Sequence, residues 1–308
     1  MLIPGVLGEI ILKYSTGKLT TFVSRCSDDS FRWYQQATSA ACPDAALTLP
    51  PESAREAVES LNTDVVRFVF GSSQQGRLVY SLPDSVSVAW RMLNGSIPPV
   101  RYLHLFHELG VSIRRLHRVR LPEGVAGAPA WLRGLRSWLA SPGPSDAERY
   151  LFAVLGEAIT GGRWATLVDW CTGLMDDAHP RCLLHGRTLP GDLVASRCLQ
   201  NLFVLSRGEL ALGPPANDVA AFIEALELIR SLDPHHGGVR DYRLLRDAFL
   251  DGYGAVPNGA ELGRIAVLRR VDRLVSLARY VGWNGYHSIE IDRLRELVDG
   301  EGSDLVDW

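Results

Sequence analysis

The predicted fold class is α+β, with a small antiparallel sheet region in front and a larger helical region behind. Three observations predict it. Strand-like alternation and β-branched runs concentrate in the first 85 residues, helical periodicity takes over from Val86, and a short β-rich island from Arg181 to Asp218 interrupts the helices. The chain is therefore divided into a sheet-bearing region, 1–85, and a helical region, 86–308, that carries the island 181–218.

Each element has its own local reason. GEIILKYS and KLTTFVSR flank a turn at Thr16-Gly17 and should pair as a hairpin, since both arms are rich in β-branched and aromatic residues. In SDDSFRWYQQATSAA, Ser27 or Asp28 can cap a helix, and Phe31, Tyr34 and Ala37 lie at helical spacing; a helix ended by Pro43 is expected. PPESAREAVESLN has proline in front, an acid in its first turn and apolar positions at Ala54, Val58 and Leu61, which predicts a second helix. VVRFVFG and RLVYSLP, separated by SSQQG, are strand candidates.

Beyond them, VRYLHLFHELGVSIRRLHRV sets Leu103, Phe106, Leu109, Ile113 and Leu116 on one stripe, the pattern of a core helix. WLRGLRSWLA, ERYLFAVLGEAI and WATLVDWCTGLMDDA continue the helical pattern. Within the island, CLLHG, LVA, NLFVL and ELAL are short strand-like runs. DVAAFIEALELIRSL, RDYRLLRDAFLDGYG and LGRIAVLRRVDRLVSLARYVGW return to helix.

Composition removes several function classes. With 308 residues, 46% of them hydrophobic and 22% charged, the chain can bury a sizeable core and is not disordered. A formal net charge of -3 gives no basic field for nucleic acid or acidic lipid. No apolar run approaches the ~20 residues that span a bilayer, and the opening lacks a basic leader, so a cytoplasmic location is expected. Cys26, Cys42, Cys171, Cys182 and Cys198 form no CxxC pair and indicate neither a disulfide framework nor a zinc site. STGK at 15–18 has Leu12 where a phosphate-binding loop needs glycine and is read as a hairpin turn; the adjacent His235 and His236 diverge and lack a helical partner. Trp131, Trp138, Trp164 and Trp170 are expected to pack helices.

Four segments in order carry a family resemblance. HELGVSIRRLHRV resembles the helix before the catalytic loop of the aminoglycoside and choline kinase-like phosphotransferases. LLHGRTLPGDLV is similar to that family's His-Gly-Asp loop, GPPANDVAAF to its closing Asp-Leu-Ala segment, and LLRDAFLDGYG to a C-terminal helix. The resemblance covers roughly residues 101–280. It implies a bilobal protein-kinase-like fold, with ATP and Mg as cofactors.

The resemblance assigns roles residue by residue, with departures. The family's proton-accepting aspartate falls on Arg187, two after His185, and an always-protonated guanidinium cannot be that base. The magnesium-binding asparagine matches Asp192, and Glu209, nine residues before Asp218, is the best match to the second metal ligand. Arg25 takes the phosphate-pairing position, with Glu52 or Glu56 as helix partner. The His-Gly-Arg loop and the run from Gly208 to Pro214 resemble the kinase-like subunits of lanthipeptide and thioamitide-type systems, which phosphorylate Ser or Thr of a precursor peptide for a separate lyase.

Three functions therefore stand side by side: such a peptide phosphotransferase, an inactive pseudokinase scaffold holding a peptide or partner enzyme, and a small-molecule, aminoglycoside-like kinase, against which Arg187 argues. Local readings stay open too. His185 can fix a loop, Asp192 and Glu209 can serve turns, Arg187 can pair with phosphate or carboxylate, and Asp218 can cap a helix.

Overall fold

A computed structural model describes residues 9–15, 18–38, 47–95, 97–125, 127–176, 181–233, 239–254 and 258–307. The turn at 16–17, Cys42, Pro43, His235 and His236 lie outside the described residues. The class is α+β. Strands β1 (Ile10–Ser15), β2 (Leu19–Arg25) and β3 (Phe31–Ala37) come first, then helix α1 (Glu52–Glu59) and strands β4 (Val66–Phe70), β5 (Ser72–Gln74) and β6 (Arg77–Leu82). Five of these form one antiparallel sheet in the order β1-β2-β3-β6-β5.

The helix expected after Asp28 is strand β3, a correction with a clear cause. Ser27 and Asp28 are turn residues: Asp28 accepts from the Ser30 amide, Asp29 takes a φ of 61°, and Cys26 N–H donates to the Ser30 carbonyl, closing the β2–β3 turn. β3 lies mid-sheet with Trp33 on one face and Tyr34 on the other, both buried. With both faces covered, polar alternation disappears and a helical spacing arises by coincidence. Between β5 and β6, Gln75 and Gly76 both have positive φ, at 50° and 74°, the backbone of a two-residue hairpin turn.

The helices follow: α2 (Val88–Leu93), α3 (Leu103–Leu116), α4 (Ala130–Ala140), α5 (Asp146–Ala158) and α6 (Arg163–Met175). The island then supplies β7 (Cys182–Leu184), β8 (Leu193–Ala195), β9 (Leu202–Ser206) and β10 (Ala211–Gly213). Helices α7 (Ala216–Leu232), α8 (Val239–Tyr253), α9 (Gly259–Tyr280), α10 (Gly285–Asp299) and α11 (Ser303–Val306) complete the chain. The stripe read from Leu103 to Leu116 is fully buried apart from Leu103 itself, which is half-buried. Trp138 is buried against Phe152 and Trp164, as packing tryptophans should be.

Strand pairing and apolar packing tie the sheet region to the helical one. β4 pairs in parallel with β9, Phe68 opposite Val204, and β8 pairs with β9 on its other side. Ala54 and Val58 of α1, with Val66 and Phe68 of β4, pack in the main helical core. A second apolar layer joins Val23, Trp33, Tyr80 and Leu82 of the five-stranded sheet to Val194 and Leu205 of the island. The Trp33 indole N–H donates to the Asp84 carbonyl (2.8 Å) in the segment between β6 and α2. The island therefore sits under the sheet, at the seam between the two regions.

Candidate functional site at the seam

His185 follows β7 and opens a loop that runs to Asp192. Its ring is almost wholly buried, lies beside Phe68, and places Nε2 2.9 Å from the Ser206 hydroxyl at the end of β9. Burial holds the imidazole below its ordinary pKa of 6.5, so it is neutral near neutral pH. Such a ring holds two chain segments together. Gly186 needs its positive φ of 79° and the lack of a Cβ, which would lie 2.2 Å from the Glu209 carbonyl.

Asp218 fastens this loop from below. It sits in the first turn of α7, three residues after the N-cap position Pro215, so the expected capping role is corrected. Its carboxylate accepts from the amides of His185 (2.7 Å) and Gly186 (2.9 Å), and Nε2 of His117 lies 3.2 Å away. Burial alone would raise the Asp218 pKa; the His117 hydrogen bond and charge, with the two amides, hold it below the ordinary range.

Arg187 and Asp192 are the centre of the site. Arg187 Nε donates to Asp192 Oδ2 at 2.6 Å, and its Nη1 reaches Glu209 Oε1 at 3.4 Å. Arg207, side chain 1% exposed, donates through Nη2 to Asp192 Oδ1 and lies 3.6 Å from Glu209 through Nε. Asp192 and Glu209 thus converge on the same two guanidinium groups, and each oxygen of Asp192 already has a cationic partner. Burial would lift the Asp192 pKa, but Arg187 and Arg207 hold it below the ordinary carboxylate value. The neighbouring Asp192 raises that of Arg187. Both remain charged at any working pH.

Arg25 does not join this centre, in contrast to the role expected for it. It ends β2 with a half-exposed side chain paired to Asp29, and Glu52 and Glu56 are exposed on α1. Lys18, immediately before β2, is partly buried: burial and then the charge of Arg187 lower its pKa, and Glu209 and Asp272 oppose that shift. From α9, Arg269 donates through Nη2 to the Gly186 carbonyl (3.1 Å) and lies over the Trp131 ring at 4.0 Å. Lys18, Arg207 and Arg269 give no local motif. Lys18 carries one faint signal, being one of two lysines in the chain, Lys13 and Lys18.

The donor set does not suit a divalent cation. Magnesium asks for free carboxylate oxygens in octahedral geometry, whereas both Asp192 oxygens are engaged by arginine. Among the described residues no three His, Cys, Asp or Glu side chains gather in a possible metal site.

No family model and no curated protein matches the chain. Solved structures do match over nearly the whole length. Choline kinase LicA from Streptococcus pneumoniae aligns with a TM-score of 0.55 and 12% identity, covering 94% of this chain and 92% of that one. The fold is that of kinase-like phosphotransferases. Amicoumacin kinase hAmiN, in complex with AMP-PNP, Ca2+ and Ami, aligns at 0.57 and 12% identity, covering 94% of this chain and 88% of that one. Plasmodium vivax ethanolamine kinase aligns at 0.57 and 9% identity over 96% of this chain and 84% of that one. Among the described residues no helix of this kinase-fold chain is long and apolar enough to cross a membrane.

Proposed function

We propose that this protein is a kinase-fold binding protein, a pseudokinase that holds a peptide or a partner enzyme at the seam without transferring phosphate. One observation carries the reading: Asp192 is clamped on both oxygens by Arg187 and Arg207. In metal-assisted phosphoryl transfer the carboxylates hold the cation that neutralises the phosphate oxygens, and a further carboxylate accepts the hydroxyl proton. Here guanidinium groups stand in for the cation, and Arg187 occupies the proton acceptor's place in the His-Gly-Arg loop. Freeing Asp192 for a metal would leave Arg207, 1% exposed, with only the longer 3.6 Å contact to Glu209 as counter-charge, a cost of several kcal/mol.

The ligand class most consistent with the loop is a Ser/Thr-bearing precursor peptide, presented to a separate lyase. The fold neighbours act on small molecules, which makes nucleotide binding the decisive measurement. Millimolar ATP with magnesium should leave the melting temperature unchanged, and no phosphate should appear on a Ser/Thr peptide. A shift that Asp192→Ala abolishes would overturn the binding reading and favour the peptide phosphotransferase.

A further inference from the structure

Asp192 and Glu209 are joined into a closed ring by two guanidinium groups. On one side Arg187 spans them, with Nε 2.6 Å from Asp192 Oδ2 and Nη1 3.4 Å from Glu209 Oε1. On the other side Arg207 spans the remaining oxygens, with Nη2 on Asp192 Oδ1 and Nε 3.6 Å from Glu209 Oε2. Two positive and two negative groups therefore balance within the ring. Asp218 and Arg269 reach the same loop through its backbone, at the amides of His185 and Gly186 and at the Gly186 carbonyl. Neither bonds to a side chain of the ring among the described residues.

The two halves of the ring are held differently. The Arg207 side chain is 1% exposed and that of Arg187 27% exposed. Arg207 directly follows β9, which is paired on one side by β4 and on the other by β8, whereas Arg187 lies in the loop between β7 and β8. Arg207 belongs to the interior, and Arg187 closes the ring from its more open side. Without Arg187, Arg207 would keep both carboxylates, while Asp192 Oδ2 and Glu209 Oε1 would have no partner among the described residues. Two carboxylates and one guanidinium would then leave a local net charge of −1. Carboxylate oxygens that have shared one cation are the donors a hard divalent ion takes.

Resting on the binding reading above, we infer that Arg187 is a resident cation: its guanidinium does the ordering task of a divalent ion between Asp192 and Glu209, and it is the one side chain that keeps such an ion out. The loop it orders is tied at both ends to the end of β9, through His185 on Ser206 and through Asp192 on Arg207. Because the cation is part of the chain, this loop holds its shape with no metal supplied. A peptide or partner that binds the loop therefore binds equally well in the presence of a chelator.

The test uses the full chain without nucleotide and takes Mn2+ as the divalent probe. The native chain should melt at the same temperature in EDTA and in millimolar Mn2+, and should leave the electron paramagnetic resonance signal of the free ion undiminished. Arg187→Met keeps the aliphatic stem and loses the donors. It should melt below the native chain, bind one Mn2+ per chain, and recover about 2–4 °C at roughly ten times the dissociation constant. Adding Glu209→Gln should abolish both the binding and the recovery. Arg187→Gln carries the same titration should Arg187→Met not fold. The inference is overturned by a folded Arg187 variant that binds no Mn2+, by binding that survives Glu209→Gln, or by a native chain that binds Mn2+ as well as the variant does. The pseudokinase reading is judged separately, on magnesium-ATP in the native chain: a shift lost in Asp192→Ala overturns that reading, whereas Arg187 variants that ignore Mn2+ overturn the resident cation alone.

Discussion

At the residue scale the site is readable where its members share one loop and opaque where they do not. His185, Arg187 and Asp192 lie on the loop after β7, where the resemblance to the His-Gly-Asp segment points to them, and Glu209, between β9 and β10, is pointed to by its spacing from Asp218. Arg269 reaches the Gly186 carbonyl from α9, 83 positions along the chain, and no local pattern records that meeting. Asp218 shows how a residue type can signal the wrong partner: an acid near a helix start suggests a cap, but its oxygens serve the loop amides of His185 and Gly186. Replacing it by asparagine keeps one acceptor and turns an NH2 group toward a donor. Asp218→Asn should cost about 3 kcal/mol and lower the melting temperature by roughly 5–10 °C. The pH dependence has a definite sign. A carboxylate whose folded pKa lies below its ordinary 3.8 contributes stability above that pH and loses it as pH falls through the folded value. Urea unfolding across a pH series should therefore show a steeper loss below about pH 4 in the native chain than in Asp218→Asn. Equal slopes would mean that the charge of Asp218 does not support the loop.

At the scale of elements, helices with one buried stripe announce themselves and central strands do not. α3 is written in its apolar period, whereas β3 carries aromatic residues on both faces and so resembles a helix start. β5 is three exposed residues, SSQ, paired on one side with β6, and its sequence contains only its turn. A second kind of information, the closeness of two helices, is stored in glycines. A Cβ at Gly110 of α3 would lie 2.1 Å from the Phe249 carbonyl of α8, and one at Gly252 would lie 1.9 Å from that of His107. These backbones touch, so Gly110→Ala must push α8 away, at a cost of about 3 kcal/mol. Gly134, inside α4, has open space where its Cβ would be, and Gly134→Ala should stabilise by about 0.5–1 kcal/mol. Chemical denaturation of both variants tests the contrast, and movement in the same direction would show that the α3–α8 contact can relax.

At the scale of the molecule, the described chain crosses between its two regions more than once, and this decides how it should unfold. After three strands of the sheet, α1 and β4 leave it for the helical core, and the chain returns through β5 and β6 before α2 begins. Length and composition suggested two lobes divided near residue 85. They could not show that β4 pairs with β9, some 130 residues later, because strand pairing at that separation leaves no trace in either segment. The consequence is energetic. Removing the sheet region would strip β9 of a parallel partner and expose Val194 and Leu205, and the buried His185 ring would lose Phe68 beside it. A fragment ending at residue 85 would in turn leave Ala54, Val58, Val66 and Phe68 without the core they fill. Neither part can bury its apolar surface alone, so the two should melt together: calorimetry should give a single transition whose van't Hoff and calorimetric enthalpies agree, and far-UV and tryptophan signals should coincide. Two separated transitions would mean that the β4–β9 pairing is weak, and the seam at which Arg187 and Arg207 hold Asp192 would then open before the rest of the chain unfolds.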